Sequence, residues 1–282
     1  MPVLVFGATS QIGHFLLPRI LASGGEVIAL SRRHHADAAG VRWLEGGLPD
    51  AVPALPPLRA IASFGPLDAL ACWLSGLETA PAPRLVATSS MSVLTKRDSQ
   101  VPAERELIAR LAAGEQELAR QCRRLGMAWT ILRPTLIYGA GLDRSLTPIA
   151  RRAARWRIFP LPQGRGLRQP VHADDLAQAV LACLHSDAAA GRILSFGGGE
   201  RLVAAQMFAR VRASLPLRTL PLPVGRPLLA LMAAILPAAR GPVSRLDADL
   251  VADNDEAVRL LGVSPRPFRP QASMWRLPGQ GD

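Results

Sequence analysis

Gly7, Thr9, Ser10, Gln11, Ile12 and Gly13 stand between an apolar run, Val3-Leu4-Val5-Phe6, and a stretch whose apolar residues recur at helical spacing. Small residues at a strand-to-helix turn let the backbone come close to a pyrophosphate. The free N–H groups and positive dipole at the helix start then hold its charge. A second apolar run, Val27-Ile28-Ala29-Leu30, ends in Ser31, Arg32 and Arg33. A site for NAD usually places an Asp or Glu there against the ribose 2′-hydroxyl, whereas a serine and two arginines suit a 2′-phosphate. The expected cofactor is NADP(H), ahead of NAD(H).

Other residues with chemical potential have simpler readings. His172 with Asp174 and Asp175 has the look of a metal cluster or a relay pair. A His-Ala-Asp-Asp segment before an apolar helix is better read as a cap, with Asp174 as the natural N-cap and the histidine buried. His34 and His35 point opposite ways in an extended segment and cannot ligate jointly. Cys72, Cys122 and Cys183 lie far apart without CxxC spacing. Neither a metal site nor a disulfide framework is expected, and a reducing, cytoplasmic setting fits best. The chain enters a strand pattern at once, without a basic leader or cleavage site, which supports that expectation.

These residues need elements to position them. Short β-type runs at 2–6, 26–31, 60–64, 84–89, 127–132 and 192–196 alternate with helical patterns, which predicts a parallel sheet with crossover helices. Gly24-Gly25 closes the first helix, and residues 102–125 read as a long helix from Pro102 to Gly126. The fold class is α/β, a Rossmann-type doubly wound parallel sheet. Residues 1–196 form the nucleotide-binding domain, with 141–171 contributing to the substrate side, and residues 197–282 form a mainly helical C-terminal substrate lobe. At 282 residues and 49% hydrophobic content, the chain is long enough for this division.

The formal charge of +11 leaves nucleic acid, anionic membrane and phosphorylated small molecules open. The basic residues are scattered arginines with Lys96 as the one lysine, and the single tyrosine is isolated. No zinc-finger spacing or aromatic stripe interrupts them, so no nucleic-acid partner is expected. A phosphorylated small molecule is the expected partner, and a homodimer is compatible with the sequence. Residues 227–236 are the most hydrophobic stretch and are too short to span a bilayer, which takes about 20 apolar residues. A buried or lid helix is the first reading; a shallow membrane contact helped by Arg226 and Arg240 is the alternative.

Five segments carry a family resemblance: GATSQIG (7–13), ATSSMS (87–92), ILRPTLIYG (131–139), RQPVHADDLAQAV (168–180) and SFGGGERL (195–202). Over roughly residues 1–215 the chain resembles the extended and atypical short-chain dehydrogenases/reductases, including the NAD-dependent epimerase/dehydratase group. The resemblance implies that residues 7–13 hold the pyrophosphate and that Pro134, Thr135 and Ile137 line the nicotinamide pocket. It further implies that Ser90 supplies a catalytic hydroxyl and that Arg168 meets a substrate diphosphate; Arg165, three residues earlier, is a further candidate for those phosphates. Tyr138 falls on the substrate side of the same segment, where packing is its simplest role. The middle glycine of the family turn is Ser10 here, a tolerable change at a helix start. Gly46-Gly47 stands where the family often has an acid near the adenine.

The family's acid/base pair, a Tyr followed four residues later by a Lys, cannot form from one Tyr and one Lys in the wrong order. Leu107 and Leu111 fall at its place if Glu115 and Arg133 set the alignment. Lys96, in the loop after Ser90, is the candidate replacement, with a solvated loop lysine as the alternative. Two functions remain open. One is an NADP(H)-dependent oxidoreductase or epimerase-like enzyme acting on a phosphorylated or nucleotide-linked sugar. The other is a non-catalytic NADP(H)-binding sensor or structural subunit.

Overall fold

The computed structural model describes residues 1–97, 99–236, 241 and 243–276. A seven-stranded sheet runs through it in the order β11-β6-β5-β4-β1-β2-β3. Its strands are β1 (Val3–Phe6), β2 (Val27–Ser31), β3 (Val41–Glu45), β4 (Ala60–Ser63), β5 (Arg84–Thr88), β6 (Ala128–Pro134) and β11 (Arg192–Phe196). Every pairing in the sheet is parallel. All six expected runs are strands; the edge strand β3 is not among them, since only Val41 of its five residues is buried.

Both faces of the sheet are covered, so its central strands bury successive apolar residues rather than alternate ones. Val3 and Val5 face helix α1 (Gln11–Ala22) and helix α6 (Ala173–His185). Leu4 and Phe6 face helix α2 (Leu67–Ser75) and helix α4 (Pro102–Arg124), with the short helix α3 (Ser92–Thr95) before the latter. Gly114 lets α4 approach α2, because a Cβ there would sit 3.0 Å from Leu67 Cβ.

A third apolar core lies beyond the sheet's carboxyl edge. Tyr138, Leu146, Phe159, Met207, Phe268 and Trp275 meet in it. It joins helix α5 (Leu146–Trp156) and helix α7 (Ala204–Ala213) to three strand pairs. These are β7 (Ile137–Tyr138) with β10 (Val171–His172), β9 (Leu167–Arg168) with β12 (Leu202–Val203), and β8 (Ile158–Pro162) with β13 (Leu220–Val224). Helix α8 (Arg226–Ile235) follows β13. Among the described residues after 197, helices outnumber strands, and the two strands there, β12 and β13, pair with strands from 158–168. Moreover, the helix Asp255–Leu261 returns to the sheet, where Ala257 and Leu261 pack in the core beside α6.

The cap of α6 also corrects the sequence reading. His172 is the N-cap, and its Nδ1 accepts from the Asp174 amide at 3.1 Å. Asp174 instead accepts from Arg19 and Arg266, both at 2.7 Å. Burial holds the His172 imidazole below its ordinary value, with Arg266 adding to the effect. A depressed histidine stabilises the fold fully above the unfolded value near 6.5, and the contribution falls as the pH drops below it. His172→Ala should therefore cost about 1–2 kcal/mol at pH 7 and flatten acid-side melting. Urea titrations at pH 5 and 7 test this; a variant losing as much stability on acidification as the parent would remove His172 from that role.

Candidate functional site

The strand order reverses between β1 and β4, and in such sheets ligands bind at the carboxyl ends flanking that reversal. The turn after β1 is built for close approach. Gly7 has φ +77°, and a Cβ on it would lie 3.2 Å from Phe64 Cβ. Ser10 takes the place of a middle glycine by capping α1: its Oγ accepts from the Gly13 amide at 3.2 Å. The amides of Gln11 and Ile12 lie in the first turn, where no intrahelical acceptor exists. Gly13 sits against the turn itself, since a Cβ there would fall 2.2 Å from Ala8 O.

Three buried oxygens at this edge lack a hydrogen-bond partner among the described residues: Gln11 Oε1, Ser63 Oγ and Ser89 Oγ. Ser63 ends β4, and Ser89 directly follows β5. Leaving such groups unpaired costs about 1–3 kcal/mol each, so this edge suits a polar ligand. At the end of β2, Ser31 Oγ accepts from the Arg33 amide at 3.1 Å. Arg32 and Arg33 are exposed, and the absent side chain of Gly47 leaves room for the Arg32 stem, 3.1 Å from a Cβ built there.

From this edge a cleft of about 960 Å³ extends towards the third core. Gln11, Ser90, Lys96, Pro134, Thr135 and Ile137 line it, with Arg168 on the far side, so the structure brings together residues from five separate segments. The loop after β5 is held by Met91 N donating to Pro134 O at 2.9 Å, and the Thr135 hydroxyl donates to Gln169 O. Ser90 Oγ accepts from the Ser92 amide at 3.1 Å. Lys96 follows α3, and its ammonium is pushed down to about 8 by burial and then by the nearby Arg245 and Arg168. Arg168 is buried and donates to the carbonyls of Leu167, Ala248 and Arg245 at 2.9, 2.7 and 2.6 Å. Arg245 pairs with Glu104 at the start of α4.

Two expected site residues lie elsewhere. Tyr138 is buried away from the cleft, edge-on to His172 and Phe268 at 5.1 and 4.8 Å, and burial pushes its hydroxyl up to about 12. Its aromatic body is worth more in the third core than its hydroxyl in a cleft. Arg165 is exposed, and its amide donates to Asp247 Oδ1 at 3.1 Å. Leu107 is exposed on α4, and neither it nor Leu111 lines the cleft. The alignment that places them there rests on Glu115 and Arg133, which do pair: Arg133 Nε donates to the buried Glu115 carboxylate at 2.8 Å. His35 stacks on Trp43 at 4.3 Å, and Cys122 and Cys183 are buried, free thiols. Arg240 lies outside the described residues.

The sequence reading did not single out Ser63, Ser89, Asp143 or Arg245. Asp143 caps α5, accepting from the Ser145 and Leu146 amides at 2.9 and 2.6 Å, and lines the cleft. An Asp two residues before a serine and an apolar helix is a capping signal that could have been read. Arg245 had no local signal.

Curated proteins include no sequence match to this chain. Solved structures share its fold over nearly the whole length. MoeE5 in complex with UDP-glucuronic acid and NAD is 19% identical, with 98% of each chain covered and a TM-score of 0.73. UDP-glucose 4-epimerase from Thermotoga maritima, with UDP-glucose, is 15% identical over 98% of this chain and 97% of that one, with a TM-score of 0.70. UDP-glucuronic acid 4-epimerase from Bacillus cereus, with NAD, is 13% identical over 98% and 96%, at 0.71. Residues 76–197 match the model of the NAD dependent epimerase/dehydratase family. From the end of helix α2 to the end of β11, this chain is therefore similar to the NAD dependent epimerase/dehydratase family, and the matched stretch lies in a Rossmann-type sheet.

Proposed function

We propose that the cleft holds a nicotinamide dinucleotide, NADP(H) in preference to NAD(H), beside a nucleotide-linked or other phosphorylated sugar, and that the protein is an epimerase-like oxidoreductase. The observation that carries this reading is the pairing of a phosphate-sized glycine turn and unpartnered buried oxygens with a cleft wall where Lys96, Arg168 and Arg245 converge. A buried lysine whose proton affinity two arginines depress is relieved by a bound anion, and a diphosphate between dinucleotide and sugar supplies one. The fold neighbours solved with UDP-sugars and NAD support the same ligand classes.

The turn of Gly7, Thr9, Ser10, Gln11, Ile12 and Gly13 would hold the pyrophosphate at the start of α1. Ser31, Arg32 and Arg33 would take the 2′-phosphate. Pro134, Thr135 and Ile137 would line the nicotinamide end, and Arg168 would face the substrate's phosphates. The nicotinamide, when bound, supplies an acceptor or donor of hydride. Ser90 would orient the reacting oxygen of the sugar. Lys96, with its ammonium near 8, would exchange the proton at that oxygen around neutral pH, the task of the absent tyrosine.

Arg32→Ala is expected to erase most of a tenfold or larger preference for NADP(H) over NAD(H), about 1.4 kcal/mol, in calorimetric titrations of both cofactors. Equal affinities in the parent would sink the 2′-phosphate assignment. The non-catalytic reading keeps one observation in its favour, Leu107 and Leu111 standing where the family's acid/base pair belongs. A panel of UDP-sugars and sugar phosphates, followed by nicotinamide absorbance at 340 nm and by product chromatography, separates the two. Tight cofactor binding with no turnover across that panel would replace the enzyme with a sensor.

A further inference from the structure

The net positive charge of this chain arises in two stretches, because the arginines scattered through the rest are outnumbered by acids. Residues 144–173 and 201–246 hold seven arginines each and no Asp or Glu, while the other 206 residues carry 19 basic residues against all 22 acidic ones. The first stretch contains α5, β8 and β9, and the second contains α7, β13 and α8. Both meet at the third core, on the side of the molecule where the cleft opens. Arg152 and Arg155 in α5, Arg157 just after it and Arg218 before β13 are exposed.

The same stretches carry most of the exposed large apolar side chains. Trp156 is 65% exposed at the end of α5, beside Ile158. Ile158 pairs with Leu220, 66% exposed, across the β8–β13 ladder, and Leu222 follows on the same face. That face runs inward to Pro160, Pro162 and Val224, which line the cleft, so the exposed strip continues into the cleft wall. On α8, Leu229 is buried against the cleft while Leu228, Leu231 and Ile235 are exposed, Ile235 at 65%. Their spacing of three and four residues puts them on one side of the helix. A monomer rarely leaves so many large apolar side chains in water, and a face rimmed mostly by arginines is unsuited to a neutral protein partner.

We propose that this face docks on the surface of a bilayer bearing anionic headgroups. Trp156, Ile158, Leu220, Leu222 and the outer side of α8 enter the headgroup–acyl boundary, and the flanking arginines meet the phosphates. An interfacial site needs this combination: an apolar face with an aromatic residue and a predominantly basic rim; here Asp247 neutralises Arg226 and leaves the α5 arginines and Arg218 to meet the lipid charge. No helix among the described residues is long and apolar enough to cross a membrane, so the contact is one of lying on the surface. The cleft would then open at the lipid boundary, where its apolar wall is continuous with the bilayer. This docking is independent of the cofactor assignment above.

Flotation of the full chain with vesicles tests it. Vesicles of 70% phosphatidylcholine and 30% phosphatidylglycerol are expected to carry the protein, and pure phosphatidylcholine at least tenfold less, with binding lost in high salt. Leu220→Ser with Leu222→Ser should cut binding to the anionic vesicles by more than about tenfold while leaving the melting temperature unchanged, because both side chains are exposed. Should that variant misfold, Leu231→Ser with Ile235→Ser on α8 is expected to give the same loss. The blue shift of tryptophan emission on vesicle addition should vanish in Trp156→Phe. Failure of anionic vesicles to bind the parent would overturn the proposal. So would binding that survives both serine pairs, which leaves only charge. A parent that sediments as a dimer, shows no vesicle binding, and is made monomeric by the serine pair would assign the strip to a second copy instead.

Discussion

Gly13→Val is expected to destabilise the protein by about 3 kcal/mol or more and to abolish dinucleotide binding. The cause is local and steric. A Cβ on Gly13 would fall 2.2 Å from Ala8 O and 2.5 Å from Ala8 C, both rigid backbone atoms, so the turn after β1 has to open or α1 has to move. Either movement breaks the cap in which Ser10 Oγ accepts from Gly13 N, and it spreads the amides meant for a pyrophosphate. For a chain of this size such a loss lowers the melting temperature by roughly 6–12 °C. It should also remove the further rise in melting temperature that saturating NADP(H) gives the parent. Thermal scans with and without the cofactor test both halves. A variant that melts with the parent and is still stabilised by NADP(H) would place the dinucleotide elsewhere.

Lys96→Met is expected to lower turnover by about a hundred- to a thousandfold, the usual cost of one donor aimed at a reacting oxygen, while Tyr138→Phe changes it little. Tyr138 is packed in the third core with its hydroxyl pushed up to about 12, out of reach of the cleft. The same Lys96 variant is expected to be more stable than the parent at pH 7. In the folded chain burial and two arginines hold the ammonium near 8, against an ordinary value of 10.5. Between those values the unfolded chain binds more protons, so this group's penalty on stability is full below about pH 8 and disappears as the pH rises past 10.5. Methionine keeps the stem and removes the penalty, a gain on the order of 1–2 kcal/mol after solvent screening. Urea titrations at pH 7 and pH 10.5 should show a gain at the first and none at the second. Turnover unchanged by Lys96→Met would end its proposed role; no gain in stability at pH 7 would mean that the ammonium is solvated.

Elements whose physics is local were legible along the chain. Six of the seven sheet strands have predominantly apolar, buried interiors because both faces of a parallel sheet are covered, and α4 begins at Pro102 and stops before Gly126 as its caps require. The turn at 7–13 was legible because a glycine at positive φ and a capping serine act within a few residues of chain. The edge strand β3, half in water, has no such run. Strand pairs of two residues such as β7 with β10 and β9 with β12 are too short for any periodicity to appear. Tertiary structure alone decided that Tyr138 is core and Arg165 solvent, since each depends on which distant side chains arrive beside it. It alone decided the chemistry of Lys96 as well. Its depressed ammonium follows from burial and from Arg168 and Arg245, and Arg168 is itself fixed by a carbonyl 77 residues further along the chain. Desolvation and charge act through space, and a sequence orders residues only along the chain.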